Sequence, residues 1–198
     1  MKKIVGSAVL LMFIICGSFS QLRAQDGVFS DARTLGHRQL SLGIQPVIYT
    51  ELNNDKFMLI LRGAYGLQPG ISFHAKMGVL RNETYYGGHL EYSLAGEPYN
   101  PISLSLIGGA YSFGDMGLKL GGVLSKRIGQ FSLYSGLMFE PLFTDPEPRT
   151  PLLLPLGIDI PVSGSHSNFV FEVNLALNDD AEIYEAYEAL HFGFNFYF

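Results

Sequence analysis

A two-residue alternation of apolar with small or polar side chains runs along this sequence beyond residue 37 and limits the fold more than any other feature. The stretch ISFHAKMGVL at 71–80 shows the pattern, with Ser72, His74, Lys76 and Gly78 separating the apolar residues. Successive side chains of a β-strand point to opposite faces, so this period indicates strands with one apolar and one polar face. No stretch in this region has a convincing helical period of about 3.6 residues. We therefore predict an all-β fold.

Ten segments carry the alternation and are separated by residues that favour turns. They span 39–49, 56–67, 71–80, 84–95, 101–112, 116–127, 131–141, 151–162, 168–178 and 187–198. Each is close to the roughly nine to eleven residues with which a tilted β-strand crosses a bilayer. We predict a closed antiparallel transmembrane β-barrel of ten strands. Eight strands are the alternative if Pro155 and Pro161 interrupt the eighth segment.

The composition of the polar face distinguishes a membrane barrel from a soluble barrel with the same period. A water-facing surface is rich in charged residues, whereas this face is mostly glycine, serine and tyrosine. Charged residues make up only 16% of the chain, against about 25% in typical soluble domains. The polar face is therefore predicted to line a narrow lumen. The alternative, a soluble periplasmic carrier barrel, requires Phe192 and Phe196 to point inward.

The first 24 residues have the layout of a secretory signal peptide. Lys2 and Lys3 precede an apolar run at 4–16, which is too short to span a bilayer as a helix. We predict cleavage near Ala24 and a single barrel domain over 25–198. Cys16, the only cysteine, lies in the part that is removed, so no disulfide is predicted in the exported domain.

The charge balance argues against a nucleic-acid partner. Cleavage would remove Lys2, Lys3 and Arg23 and leave all 18 acidic residues, so the exported domain is acidic. It has no cluster of lysine and arginine that would neutralise phosphates. We predict neither a cofactor nor a metal site.

The chain ends on HFGFNFYF at 191–198, with phenylalanine at every second position. This ending resembles the terminal β-signal of Gram-negative outer-membrane barrels: a polar residue, a glycine two positions later, and aromatic or aliphatic residues at the third-last and last positions. His191, Gly193, Phe196 and Phe198 occupy those places. The resemblance implies a small, porin-like protein surrounded by outer-membrane lipid, with periplasmic chaperones and the barrel assembly machinery as partners during biogenesis. It identifies no subfamily.

The two termini set the direction of the strands. An exported N-terminus and a periplasmic C-terminus require an even number of strands. The connections 68–70, 96–100, 128–130 and 163–167 then lie on the periplasmic side. The last strand is predicted to pair with the first, which removes both sheet edges, and its even-numbered phenylalanines are predicted to form a lipid-facing row.

Charged and histidine side chains on the polar face are predicted to form a network in the lumen. Its members are Arg62, His74, Lys76, His89, Glu91, Lys119, Glu140, Asp159, Glu172 and His191. Antiparallel pairing across the turn at 81–84 places His74 beside Glu91 and Lys76 beside His89. Arg62 is expected nearby, on the preceding strand.

Pairing across two further turns extends the network. Lys119 is brought to Glu140, and Asp159 is brought to Glu172 with His191 close by on the last strand. The Asp159 and Glu172 carboxylates are candidates for an acid pair or a cation site. Buried charges must be paired whatever the function is, so such pairs also arise in a lumen that is only filled.

These residues support two interpretations of function. In the first, the network fills the lumen of a non-enzymatic protein that is structural or forms a narrow pore for small solutes. In the second, Ser72 or Ser93 acts with His74 and Glu91 as the catalytic triad of a membrane-embedded hydrolase for lipid or peptide. We favour the first, because a narrow lumen requires mutually satisfied polar groups in any case.

Two further motifs are weaker. SHSN at 165–168 is similar to the His-x-Ser-Asn motif of outer-membrane lipid hydrolases, but His166 and Ser167 are adjacent and would point to opposite faces of a strand. The acidic loop 178–188 is a candidate for binding divalent cations between lipid phosphates, although such a run is more often a solvated loop.

Overall fold

The computed structural model describes residues 28–29, 32–49, 57–80, 83–95, 102–144, 148–178 and 189–198. The predicted signal peptide, with Cys16, lies outside the described residues, as does nearly all of the acidic loop 178–188. In the described ranges, no helix has the length and apolar character needed to cross a membrane.

Eleven β-strands form in the described part of the chain. They are β1 (Leu40–Tyr49), β2 (Phe57–Gln68), β3 (Ile71–Leu80), β4 (Glu83–Ala95), β5 (Ile102–Phe113), β6 (Asp115–Ile128), β7 (Phe131–Phe139), β8 (Leu142–Phe143), β9 (Leu152–Pro161), β10 (Ser167–Ala176) and β11 (Ala189–Tyr197). Each long strand pairs antiparallel with its neighbours, and the sheet closes into a barrel. The ten predicted strands are confirmed.

One predicted strand is divided. The segment 131–141 ends as a strand at Phe139, and β8 then continues the pairing along β6. Pro141 lies in the break because it has no N–H to donate. Its carbonyl still accepts a bond from the Leu118 N–H at 2.9 Å, so the ladder along β6 continues.

The eight-strand alternative is wrong, because the prolines do not interrupt β9. The register between β9 and β7 runs from Ser132↔Asp159 to Ser135↔Leu156 and resumes at Met138↔Leu153. Pro155 falls in the gap, where the β7 ladder does not use its missing N–H. Pro161 ends the strand, which is a position that proline tolerates.

The last strand closes the barrel against the first, as predicted. The register runs from Ser41↔Tyr197 to Tyr49↔Ala189, and Leu40 and Phe198 exchange two backbone hydrogen bonds at 3.1 and 2.8 Å. Phe196 points outward and is exposed, and Phe192 lies half-buried on the same outer face of β11, with Phe194 between them. The soluble-carrier interpretation needs the opposite orientation, so it loses its support.

The outer face of the barrel is a belt of exposed aliphatic and aromatic side chains. Examples from around the circumference are Leu42, Leu61, Met77, Leu90, Leu106, Leu124, Leu137, Leu156 and Phe194. In water, a continuous apolar surface of this kind would drive association. Lipid is therefore the environment that this surface requires.

Arginine substitutions at two depths test this environment. Leu106 lies outward in the middle of β5, whereas Ile128 is exposed beside the turn at 129–130. Leu106→Arg is expected to lower the free energy of unfolding by about 2–4 kcal/mol, and Ile128→Arg by about 0–1 kcal/mol, because the cost of a charge rises toward the bilayer midplane. Urea unfolding in lipid vesicles measures both, and equal small effects would indicate a water-facing belt.

Candidate functional site

Large apolar side chains fill the half of the barrel interior that lies away from the chain ends. Each of the following is less than 2% exposed: Tyr49, Tyr85, Phe113, Met58, Ile60, Met138, Leu142 and Leu153. They belong to one buried apolar cluster. We call them the apolar layer, and at this level the interior is packed protein.

Glycines on the inner wall make room for large rings, as expected for a narrow lumen. Tyr111 lies against Gly117, and Tyr134 lies against Gly157. A Cβ atom added to either glycine would fall on the tyrosine ring. Each ring therefore lies flat on the wall and reaches across a neighbouring strand.

The stretch before β1 occupies the other half of the interior, which sequence reasoning missed. We call residues 28–29 and 32–39 the inner segment. Val28, Phe29 and Ala32 are 1%, 1% and 0% exposed. This stretch has no alternation, and its only sequence signal is the apolar pair Val28 and Phe29 ahead of a polar run, which fits many structures.

Glu172 on β10 holds the buried end of the inner segment. Its carboxylate accepts hydrogen bonds from the backbone N–H groups of Val28 at 2.9 Å and Phe29 at 2.6 Å. It also accepts one from the Tyr134 hydroxyl at 2.8 Å. Three donors thus stabilise a carboxylate that is completely buried.

Arg62 on β2 and Ser72 on β3 also hold the inner segment. The Arg62 guanidinium donates to the Phe29 carbonyl and lies 5.9 Å from the centre of the Phe29 ring. The Ser72 hydroxyl oxygen accepts a bond from the Leu35 N–H at 2.7 Å. Wall residues from β2, β3 and β10 therefore converge on one short stretch of main chain.

Near β1 the inner segment is joined to β2. The Arg38 N–H donates to the Gly66 carbonyl at 2.8 Å, and the Gly66 N–H donates to the Gln39 carbonyl at 2.9 Å. Gly66 also lies directly against the Gly36 carbonyl, with no room for a side chain. The segment thus enters the barrel at the end where β1 begins and the chain ends.

All ten members of the predicted lumen network point inward. Arg62, His74, Lys76, His89, Glu91, Lys119, Glu140, Asp159, Glu172 and His191 are each at most 8% exposed. The predicted pair forms between Lys119 Nζ and Glu140 Oε1 at 3.3 Å. The predicted proximity of His191 to Glu172 is also confirmed, because the two residues are opposite each other on β11 and β10.

The predicted register between β3 and β4 is wrong by two residues. β4 begins at Glu83, which pairs with Leu80, so His74 faces His89 and Lys76 faces Gly87. The two histidine rings stack with centroids 4.6 Å apart. His74 Nε2 still reaches Glu91 Oε2 at 3.2 Å along the diagonal.

The predicted pairing of Asp159 with Glu172 is wrong for the same kind of reason. Asp159 faces Val170 and Glu172 faces Gly157, a register two residues from the expected one. Asp159 Oδ1 accepts a bond from Asn168 Nδ2 at 2.6 Å. Since Glu172 binds backbone and tyrosine donors, the geometry does not form the proposed acid pair.

The serine–histidine–glutamate arrangement is present but is not assembled as a triad. His74 Nδ1 lies 2.9 Å from Arg62 Nη2, and its Nε2 faces Glu91. Both ring nitrogens are therefore engaged, whereas a catalytic histidine must accept a proton from the nucleophile. Ser72 accepts a bond from the inner segment, and Glu91 accepts one from Ser105 at 2.7 Å.

The SHSN stretch likewise shows no catalytic arrangement among its described neighbours. His166 is exposed at the turn before β10, whereas Ser167 is buried and bonds Ser165 at 2.6 Å between hydroxyl oxygens. The adjacent residues thus point to different sides, as predicted.

The four residues of the terminal pattern divide between the two faces of β11. His191 is buried, with Nδ1 2.9 Å from Gln45 Nε2 and Nε2 2.8 Å from Asn174 Nδ2. Gly193 also faces the interior, where Phe29 packs on it, while Phe196 and Phe198 are exposed. Recognition of these residues by the assembly machinery stays a prediction.

Metal-ligating side chains do not cluster in the described part of the chain. No group of three or more histidine, cysteine, aspartate or glutamate residues there is arranged to hold an ion. Glu172, Arg62 and Ser72 of the inner wall bind the inner segment.

A closed antiparallel barrel with an apolar outer belt and a polar inner wall is a transmembrane β-barrel. No protein-family model matches this chain. No curated protein matches it either.

Among solved structures, the barrel is similar to a de novo designed transmembrane β-barrel, with 13% identity, a TM-score of 0.42 and coverage of 84% of this chain and 100% of the design. It is also similar to the KdgM porin, with 9% identity, a TM-score of 0.47 and coverage of 80% of this chain and 98% of the porin. The assignment to the transmembrane class rests on the strand register and the apolar belt.

Proposed function

We propose that this chain is a structural outer-membrane protein whose barrel is closed, rather than an open pore or an enzyme. The observation that carries the proposal is the inner segment, which is seated in the lumen and bonded to Glu172, Arg62 and Ser72. The apolar layer closes the other half of the interior. The two fillings lie in series along the barrel axis and belong to one buried apolar cluster.

The outer-membrane location is supported by features at the two ends of the chain. The first 24 residues have the layout of an export signal, and HFGFNFYF resembles the terminal signal of outer-membrane barrels. We propose cleavage near Ala24, folding with periplasmic chaperones and the barrel assembly machinery, and outer-membrane lipid as the final environment. The short turns at 69–70 and 129–130 and the inner segment then face the periplasm.

The engagement of the polar groups supports a structural role over catalysis. Both ring nitrogens of His74 are engaged, and Ser72 binds the inner segment. Buried polar side chains that are satisfied within the protein rigidify a fold. A hydrolase would instead keep its nucleophile accessible to substrate.

Fractionation and planar-bilayer recording test the proposal. We expect the protein in the outer-membrane fraction, with a mobility in gel electrophoresis that changes on heating, as for a stable barrel. The purified protein is expected to insert without discrete openings, because both halves of the lumen are filled. Steady single-channel openings would contradict the closed barrel, and recovery from the soluble periplasmic fraction would contradict the location.

A further inference from the structure

We call the half of the barrel interior that holds the inner segment the inner half. Its wall binds main-chain atoms of the segment rather than particular side chains. Glu172 binds the N–H groups of Val28 and Phe29, Arg62 binds the Phe29 carbonyl, and Ser72 binds the Leu35 N–H. Every peptide other than one with proline at these positions carries the same groups. This wall is thus chemically suited to hold a peptide segment in general.

One side chain of the inner segment has a specific place. The Phe29 ring packs on Gly193, with its Cζ 2.9 Å from where a Cβ would be, and the Arg62 guanidinium lies 5.9 Å from its centre. A glycine floor and a cation above the ring favour a flat aromatic group. The site therefore combines main-chain recognition with one aromatic position.

Contacts within the wall itself hold the binding groups in place. Tyr134 donates to Glu172 at 2.8 Å. Arg62 is held by His74 at 2.9 Å, and Glu91, which contacts His74, accepts a bond from Ser105 at 2.7 Å. Because these bonds do not involve the inner segment, they can hold Glu172 and Arg62 in place when the segment leaves.

The inner segment is itself under backbone strain. Phe29, Ala32 and Arg38 have φ angles of 53°, 61° and 65°, in the left-handed region that disfavours side chains with a Cβ. Strain of this kind persists only where surrounding contacts impose it, and it recurs at switches and ligand clamps. Part of the binding energy thus goes into bending the segment, which favours its release.

We propose that the inner half of the barrel is a binding site for a peptide segment with an aromatic residue, and that the inner segment is its resident, exchangeable ligand. A competing peptide enters at the end where β1 begins and the chain ends. The identification of that end with the periplasm rests on the proposed function. The binding chemistry does not depend on it.

Peptide binding to a full-length variant with an unseated segment tests this site. Phe29→Pro removes the ring and the N–H that Glu172 binds, and its φ of about −65° does not fit the 53° found here, so the segment is expected to leave the site. Phe29→Ala is the milder alternative. A fluorescent synthetic peptide of residues 28–39 is titrated into each protein in detergent micelles, with anisotropy as the readout. Saturable binding is expected to either variant, with much weaker apparent binding to the wild-type chain.

Wall substitutions in the Phe29→Pro background locate the bound peptide. Glu172→Gln is expected to weaken binding at least tenfold, because hydrogen bonds to a charged acceptor are roughly twice as strong as those to a neutral one. Ser72→Ala is expected to weaken it several-fold. Ser103→Ala, at a buried serine on β5 outside these contacts, is the matched control and is expected to leave binding unchanged.

Changes in the peptide test the strain. A peptide with Ala32→Gly is expected to bind at least as tightly as the parent, and one with Ala32→Val more weakly, because a β-branched residue strongly disfavours positive φ. The proposal would be overturned if Phe29→Pro and Phe29→Ala proteins that still show the heat-dependent mobility shift bound no peptide saturably. It would also be overturned if Ser103→Ala weakened binding as much as Glu172→Gln. Fractionation and conductance test the proposed function separately from peptide binding. Failure of the proposed function is therefore distinguishable from failure of the peptide site.

Discussion

Replacing Gly157 with alanine is expected to lower the free energy of unfolding by about 3 kcal/mol or more, because overpacking and a lost buried hydrogen bond add together. The new Cβ would fall on the ring of Tyr134. The ring cannot move without breaking its hydroxyl bond to Glu172 at 2.8 Å. Urea unfolding in micelles, followed by the heat-dependent mobility shift, measures the change.

Two controls separate this clash from a general cost of alanine. Gly108→Ala is expected to be nearly neutral, since the nearest atom to its Cβ is Leu120 Cδ2 at 3.9 Å. Combining Gly157→Ala with Tyr134→Leu is expected to cost less than the sum of the two single changes, because the smaller side chain removes the clash. Additive costs would show that the ring and the glycine are not in contact.

Replacing Glu172 with glutamine is expected to release the inner segment without unfolding the barrel. The change keeps the size of the side chain but removes the charge that attracts two backbone N–H groups and the Tyr134 hydroxyl. A cysteine at position 32 reports on release, since Ala32 is fully buried and Cys16 lies in the predicted signal peptide. Maleimide labelling of Ala32→Cys is expected to accelerate at least tenfold in Glu172→Gln.

A second buried carboxylate provides the control for this experiment. Glu140 is paired with Lys119 at 3.3 Å in the outer half of the barrel. The combined change Lys119→Met and Glu140→Gln removes that pair without leaving an unpaired charge, and it is expected to leave the labelling of Ala32→Cys slow. Rapid labelling in the parent protein would show that the inner segment is not seated.

The strands were predictable because lipid and lumen impose opposite preferences on alternate residues. The long strands, from Leu40–Tyr49 to Ala189–Tyr197, keep a two-residue period in their sequences. This period predicts the number of strands and which side chains face inward. The register between neighbouring strands was harder to predict from the sequence. Shifting β4 by two residues along β3 keeps every side chain on its own face, so the alternation does not distinguish the two registers. His74 and Glu91 still meet because long side chains reach a diagonal neighbour, whereas the shorter Asp159 does not provide the predicted pairing with Glu172.

The partner of the polar network could not be predicted from the sequence. Glu172 was expected beside Asp159 and Arg62 was expected near His74 and Glu91, but both bind backbone atoms of the inner segment. Main-chain donors and acceptors are the same in every residue, so no sequence pattern marks them. The positive φ angles of Phe29 and Ala32 are equally invisible, because they are imposed by the surrounding wall.

Amide hydrogen exchange of the folded protein in micelles tests most directly whether the barrel is filled by its own inner segment. The N–H groups of Val28, Phe29 and Leu35 are bonded to Glu172 and Ser72 inside the barrel. They are expected to exchange far more slowly than the amides of an unstructured peptide, because exchange requires the segment to leave the barrel. Exchange of these three amides at the rate of an unstructured peptide, alongside protected strands, would contradict a barrel closed by this segment.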